Sequence, residues 1–263
     1  MKLTETDMFK ELYKYREMIV SMVRRDLRSR YKGSILGFAW TFINPLLQLI
    51  VYYFVFKILM KAGIPKFHLY LFVGLIPWIF FSTCLVGGSV SIIVQKDLIK
   101  KIYFPREVIP ISYVIGAFVN MALSFIVVIA VALVSGVVPS AGGLLCLPVI
   151  MIVEFIFALG LALIASALTV YLRDLEHILG IITMAWQFAT PICYGEDLIP
   201  ERFKAIYSLN PMTPIIRAYR AILYEGGVPD LSTLIESLVI GLFFLVVGAI
   251  VFRKLQVRFA EEL

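Results

Sequence analysis

The chain has 263 residues, of which 61% are hydrophobic and only 16% charged, and it carries a net charge of +6 at neutral pH. Soluble domains carry roughly 25% charged residues, so a water-soluble globular protein is excluded, and the basic excess is not read as a nucleic-acid footprint. Three cysteines (Cys84, Cys146, Cys193) and two histidines (His68, His177) stand apart from one another and offer neither a disulfide framework nor a metal site.

In chain order, the first element is an amphipathic helix over 8–31. Leu12, Tyr15, Ile19, Met22, Val23 and Leu27 recur at helical steps, and Arg24, Arg25, Arg28, Arg30 and Lys32 crowd its end. Such a helix lies at a membrane surface. It serves either as a simple anchor or as a basic platform for an anionic lipid.

Six apolar runs follow: Ile35–Met60, Leu69–Val94, Val108–Val138, Cys146–Leu172, Ile178–Tyr194 and Leu234–Phe252. About 20 apolar helical residues cross a bilayer core, and only the fifth run is marginal. The expected fold is all-α and polytopic, with six transmembrane helices in one domain over 35–263. The 34 largely polar residues ahead of the first run, and the length of that run, give no expectation of a cleavable signal peptide. Of the 24 Lys and Arg, nine precede residue 35, four lie in the 95–107 loop, one is Arg173 and three are in the tail; the other seven fall on the opposite side. The positive-inside rule then makes both termini and the 95–107 loop cytoplasmic. Six crossings agree with termini on one side.

The first run carries Thr41, Asn44, Gln48 and Tyr52 within roughly an 80° sector of helix. The fifth carries Thr183, Gln187, Thr190 and Tyr194 in a narrower one, and Trp40, Tyr53, Trp186 and Phe188 flank the two stripes. An amide facing lipid tails is left unsatisfied. The stripes therefore face protein, as interhelical hydrogen bonds, or water, as the wall of a polar conduit whose rings and amides suit sugars. One carboxylate, Glu154, lies inside the fourth crossing, with no basic residue in an adjacent crossing to pair with it. Ala158, Ala162 and Ser166 make a small-residue face near it.

The stretch 195–231 contains Pro200, Pro211, Pro214 and Pro229 and two short amphipathic segments, Glu201–Leu209 and Thr213–Tyr224. It reads as an external re-entrant hairpin between helices five and six, or as two helices lying on the surface. The sequence holds no GxxxxGK[ST] phosphate loop, GxSxG or HExxH. The chain reads as a passive membrane half driven from elsewhere. The 95–107 loop, with charged ends and an apolar centre, is either a plain connector or a plug for a soluble partner.

Several motifs in order resemble the permeases of type-2 ATP-binding-cassette exporters of cell-surface polysaccharides (O-antigen, capsule, teichoic acid). They are Arg30-Tyr31-Lys32-Gly33-Ser34-Ile35-Leu36-Gly37-Phe38-Ala39-Trp40, Asn44-Pro45-Leu46, Gly74-Leu75-Ile76-Pro77-Trp78-Ile79-Phe80-Phe81, Asp97-Leu98-Ile99-Lys100-Lys101 with Phe104-Pro105, Tyr171-Leu172-Arg173-Asp174, Thr190-Pro191-Ile192 and Asn210-Pro211-Met212-Thr213-Pro214.

The resemblance implies a homodimer on two ATP-binding-cassette ATPase subunits, with ATP and Mg held there and no cofactor or catalytic residue in this chain. It implies a bacterial inner-membrane permease for a polyprenyl-pyrophosphate-linked polysaccharide. Residues 1–34 become a gate-helix region, with Arg24, Arg25, Arg28 and Lys32 at the pyrophosphate portal. Lys96, Asp97, Leu98, Ile99, Lys100, Lys101, Phe104 and Pro105 become the coupling segment. Trp40, Thr41, Asn44, Gln48, Tyr52, Thr183, Trp186, Gln187, Thr190 and Tyr194 become the channel lining. The alternatives are an exporter of a small drug or lipid, or a membrane enzyme acting on polyprenyl lipids, for which Asp174 and Glu176 are the nearest acids.

Overall fold

A computed structural model describes residues 13–31 and 33–263, and every regular element among them is helical. The solvent dictates this. Inside a bilayer each backbone N–H and C=O needs a partner in the chain, and a helix supplies it within its own segment. Five helices are long and apolar enough to span a membrane: Gly37–Leu59, Phe67–Gly87, Val108–Val134, Ala141–Tyr171 and Leu231–Arg258. They coincide with five of the six apolar runs.

The remaining run, 178–194, differs. Its helix is Leu175–Phe188, only 14 residues, which rises about 21 Å where the hydrocarbon core is ~30 Å thick. The residue before a proline is pushed out of helical geometry, and Thr190 precedes Pro191, so the helix stops just short of that pair. Among the described residues, the six expected crossings are five full-length spans and one short helix.

The fourth and last spans touch through glycine. A Cβ on Gly248 would stand 2.3 Å from the Gly160 carbonyl oxygen, and one on Gly160 would stand 2.4 Å from the Phe244 backbone. Small residues let two helix backbones approach this closely. Of the small face expected on the fourth span, Ala162 packs instead toward Gly88, where an added Cβ would sit 3.1 Å from that of Ala162.

The 195–231 stretch forms two helical arms, Glu201–Ser208 and Met212–Leu223. The second arm is inside the protein. Ten of its 12 residues are buried, from Met212 to Leu223, and Tyr219 stacks on Phe125 of the third span at 4.9 Å. That excludes a helix lying on the surface for this arm. The large apolar cluster around it joins the second, third and fourth spans.

A second cluster lies at the other end of the second span. Met22 of the amphipathic helix Arg16–Tyr31, expected at the membrane interface, meets Phe104, Val108, Leu163, Phe252 and Phe259 there. Leu12 and Lys32, both named from the sequence, fall outside the described residues.

Candidate functional site

The first polar stripe opens onto a cavity of about 450 Å³, lined by Trp40, Thr41, Asn44 and Gln48 of the first span. Thr83 of the second span and Asn120 and Ser124 of the third complete its polar wall, with Ile76, Phe80 and Met121 as apolar neighbours. Thr41 is buried, whereas Asn44 and Gln48 are exposed. One turn further on, Tyr52 accepts a hydrogen bond from Gln187 Nε2 at 2.8 Å. The two stripes, 135 residues apart, thus meet at one point. Asn120 and Ser124 escaped the sequence reading, although their spacing of four puts them on one helix face, as in the first stripe.

The rest of the second stripe is engaged within the chain. Thr183 and Thr190 are buried, and their hydroxyls donate to the carbonyls of Leu179 and Trp186 at 2.6 and 2.8 Å. The Trp186 indole packs edge-on against Phe81 at 5.0 Å and donates to Asn210 Oδ1 at 2.9 Å. Asn210 Nδ2 donates to Thr190 Oγ1 at 2.9 Å and to the Ala189 carbonyl at 3.1 Å, while its Oδ1 also accepts from the Met212 N–H. Asn210 therefore spends its whole amide fastening the hairpin apex to the end of the short helix. Tyr194 OH donates to the Phe188 carbonyl and pairs with Tyr207 OH, both at 2.6 Å. From this stripe, Gln187 reaches the first.

The buried arm carries two ionisable side chains inward. Arg220, 5% exposed, lies 3.6 Å over the Tyr70 ring and donates from Nη2 to the Ile192 carbonyl at 3.0 Å. Gly74 makes room, because a Cβ there would stand 3.3 Å from Nη2. Tyr70 OH in turn donates to the Tyr194 carbonyl at 2.9 Å. Glu154, wholly buried, accepts from Tyr219 OH at 2.7 Å through Oε2, and its Oε1 has no partner among the described residues. The sequence offered no basic neighbour for Glu154; its partner is a phenol on the buried arm. Nearer the outside of the arm, Arg217 Nε donates to Glu196 Oε1 at 2.7 Å, a bond that raises the guanidinium above its ordinary range.

At the far end of the second span, the interfacial helix borders an apolar groove of about 1030 Å³. Ile19, Val20, Val23, Leu27, Phe38 and Ile115 line it, with Arg24 and Arg28 at its margin. Arg25 points elsewhere, to Gln95. The adjoining segment forms a helix over Lys96–Lys101. Lys96, Asp97, Lys100 and Lys101 are exposed, but Leu98 and Ile99 turn back onto the second apolar cluster and Phe104 is buried in it. The apolar side chains presented outward are Ile102 and, above all, Tyr103, which is 92% exposed.

The sequence profile of ABC-2 type transporters matches residues 17–224. The chain is 37% identical to the O-antigen export system permease protein RfbA of Myxococcus xanthus, over 97% of this chain and 98% of that one. It is 37% identical to a protein of the same name from Klebsiella pneumoniae over 94% and 95% of the two chains. It is also 21% identical to the polysialic acid transport protein KpsM of Escherichia coli over 89% and 92%. The chain belongs to the ABC-2 type transporter family. It is an integral membrane protein and a transport subunit.

For an ABC-2 type transporter the division of polar groups is informative. Along the first span the amides stay open beside a cavity. Along the short helix and the hairpin they are largely consumed in fastening the two together.

Proposed function

We propose that this chain is the permease of an ATP-driven exporter carrying a cell-envelope polysaccharide, linked to polyprenyl pyrophosphate, from the cytoplasm across the bacterial inner membrane. The polymer is of O-antigen or teichoic acid type. The full-length similarity to permeases named for O-antigen export supports this reading. The observation that carries it is the exposed pair Asn44 and Gln48 on a membrane-spanning helix, beside a cavity of about 450 Å³. Two amides cannot be left to lipid, where each unsatisfied group costs several kcal/mol by an order-of-magnitude estimate, so this face is covered by a second copy of the chain and lines a water-filled path between the copies.

Both termini lie on the cytoplasmic side, and the short helix Leu175–Phe188 completes a sixth crossing with the hairpin at the external end. The groove beside Arg24 and Arg28 takes the lipid: prenyl units lie on Ile19, Val23, Leu27 and Phe38, and the pyrophosphate meets the guanidinium groups through charge-assisted bonds. Lys100, Lys101 and Tyr103 face an ATPase subunit, which binds ATP and Mg; this chain makes and breaks no covalent bond.

Co-purification tests the reading. The tagged chain, gently extracted from its host, is expected to bring an ATP-binding subunit at a near one-to-one ratio, with ATPase activity only in the complex. A lone chain that modifies a polyprenyl lipid would replace the transporter reading with an enzymatic one.

A further inference from the structure

The arginines of the interfacial helix do not share one environment. Arg24 and Arg28, four residues apart, border the apolar groove. Arg25 is rotated about 100° from Arg24 and donates from Nη2 to Gln95 Oε1 at 2.9 Å. It lines a separate pocket with Asp26, Ser29, Gln95 and Tyr113.

Gln95 opens the Lys96–Lys101 helix. Its carbonyl accepts from the N–H groups of Leu98 at 3.0 Å and Ile99 at 3.2 Å. A displacement of that helix therefore carries the Gln95 side chain with it. Three residues before Arg25, Met22 is buried in the same cluster as Ile92, Phe104 and Ile109, with Ser112 Oγ 3.9 Å from its sulfur. The interfacial helix is thus fastened to the segment around Lys96–Lys101 at two points, one polar and one apolar.

We propose that Arg25 is a positioning residue rather than a phosphate ligand: through Gln95 it hands movement of the Lys96–Lys101 helix to the interfacial helix and so shifts the groove that Arg24 and Arg28 border. Movement at the ATPase is thereby linked to the lipid portal without passing through the conduit. The inference rests on the proposed function, because it needs an ATPase against Lys100 and Lys101.

Inverted membrane vesicles of the host, holding the chain, its ATPase and the polymer the host makes, provide the test. Polymer translocated per ATP hydrolysed is measured, along with inhibition by added polyprenyl pyrophosphate. Arg25→Ala and Gln95→Ala are each expected to lower the transport-to-hydrolysis ratio about fivefold or more, leaving inhibition by polyprenyl pyrophosphate unchanged. The double variant is expected to be no worse than either single one, and Gln95→Glu to keep the wild-type ratio through a charge-assisted bond. Arg28→Ala should instead weaken inhibition by polyprenyl pyrophosphate. A wild-type ratio in both alanine variants overturns the inference, as does an Arg25→Ala variant that behaves like Arg28→Ala. Vesicles with the wild-type chain that show no ATP-dependent export remove the transport reading itself, and this inference with it.

Discussion

Replacing Tyr219 by Phe removes one oxygen atom and leaves the ring stacked on Phe125. It also takes away the donor that Glu154 Oε2 accepts from at 2.7 Å, in a place where Oε1 already has no partner among the described residues. A buried polar group stripped of its partner costs about 1–3 kcal/mol. Glu154→Leu leaves the opposite orphan, the Tyr219 hydroxyl, and incurs a similar cost. Replacing both together removes both orphans, and apolar replacement of a buried polar pair is often close to neutral. The expected signature is therefore non-additive: each single variant is less stable by about 1–3 kcal/mol, while the double variant recovers most of that loss. Glu154→Gln keeps an acceptor oxygen and should stay near wild type. Thermal unfolding in detergent reads the difference, at about 2–4 °C per kcal/mol for a chain of this size. Additive losses in the double variant would refute the argument, because they would mean that the two side chains contribute through separate contacts.

Three further outcomes follow from the geometry. Gly248→Ala sets a Cβ 2.3 Å from the Gly160 carbonyl oxygen and should destabilise by about 1–3 kcal/mol, whereas Gly180→Ala, with no atom within 4 Å of the added carbon, should not; unfolding midpoints of the two decide it. Gln48→Leu and Gln187→Leu should both slow polymer export with the assembled complex intact, and normal surface polymer in both variants would remove the conduit assignment. Reversing charge at Lys100 and Lys101, or trimming Tyr103 to Ala, should uncouple ATP hydrolysis from export without loss of membrane insertion. Trimming Leu98, which packs inward, should instead lower stability; unfolding curves and coupled ATPase assays separate the two effects.

The spans were legible because they answer to one local rule, the length of apolar helix needed to cross a bilayer. The short helix strained that rule in the sequence itself, since Pro191 interrupts the fifth run close to its end. What local pattern could not supply was pairing over distance. Glu154 and Tyr219 are 65 residues apart, and nothing in the periodicity around either one names the other. Asn210 stood in a recognisable Asn-Pro motif, yet its role as the fastening of the hairpin depends on the Ala189 carbonyl and the Thr190 hydroxyl some 20 residues earlier. The 95–107 segment looked apolar at its centre, but whether Leu98 and Ile99 face outward or inward is set by Phe104 and the C-terminal Phe259, which build the cluster they join. The separation of Arg25 from Arg24 and Arg28 was latent in helical spacing; its meaning required Gln95, 70 residues on.

The glycine crossing between the fourth and last spans has a mechanical consequence. Two helices in backbone contact at Gly160 and Gly248 cannot slide a turn past each other without driving side chains into main chain, so they are locked together. The first span, by contrast, has only Thr41 and Pro45 buried along Trp40–Tyr53 and meets the short helix at the Gln187–Tyr52 bond. Of the five spans it is the one least enclosed by this chain, whereas the interlocked pair can shift only as one body.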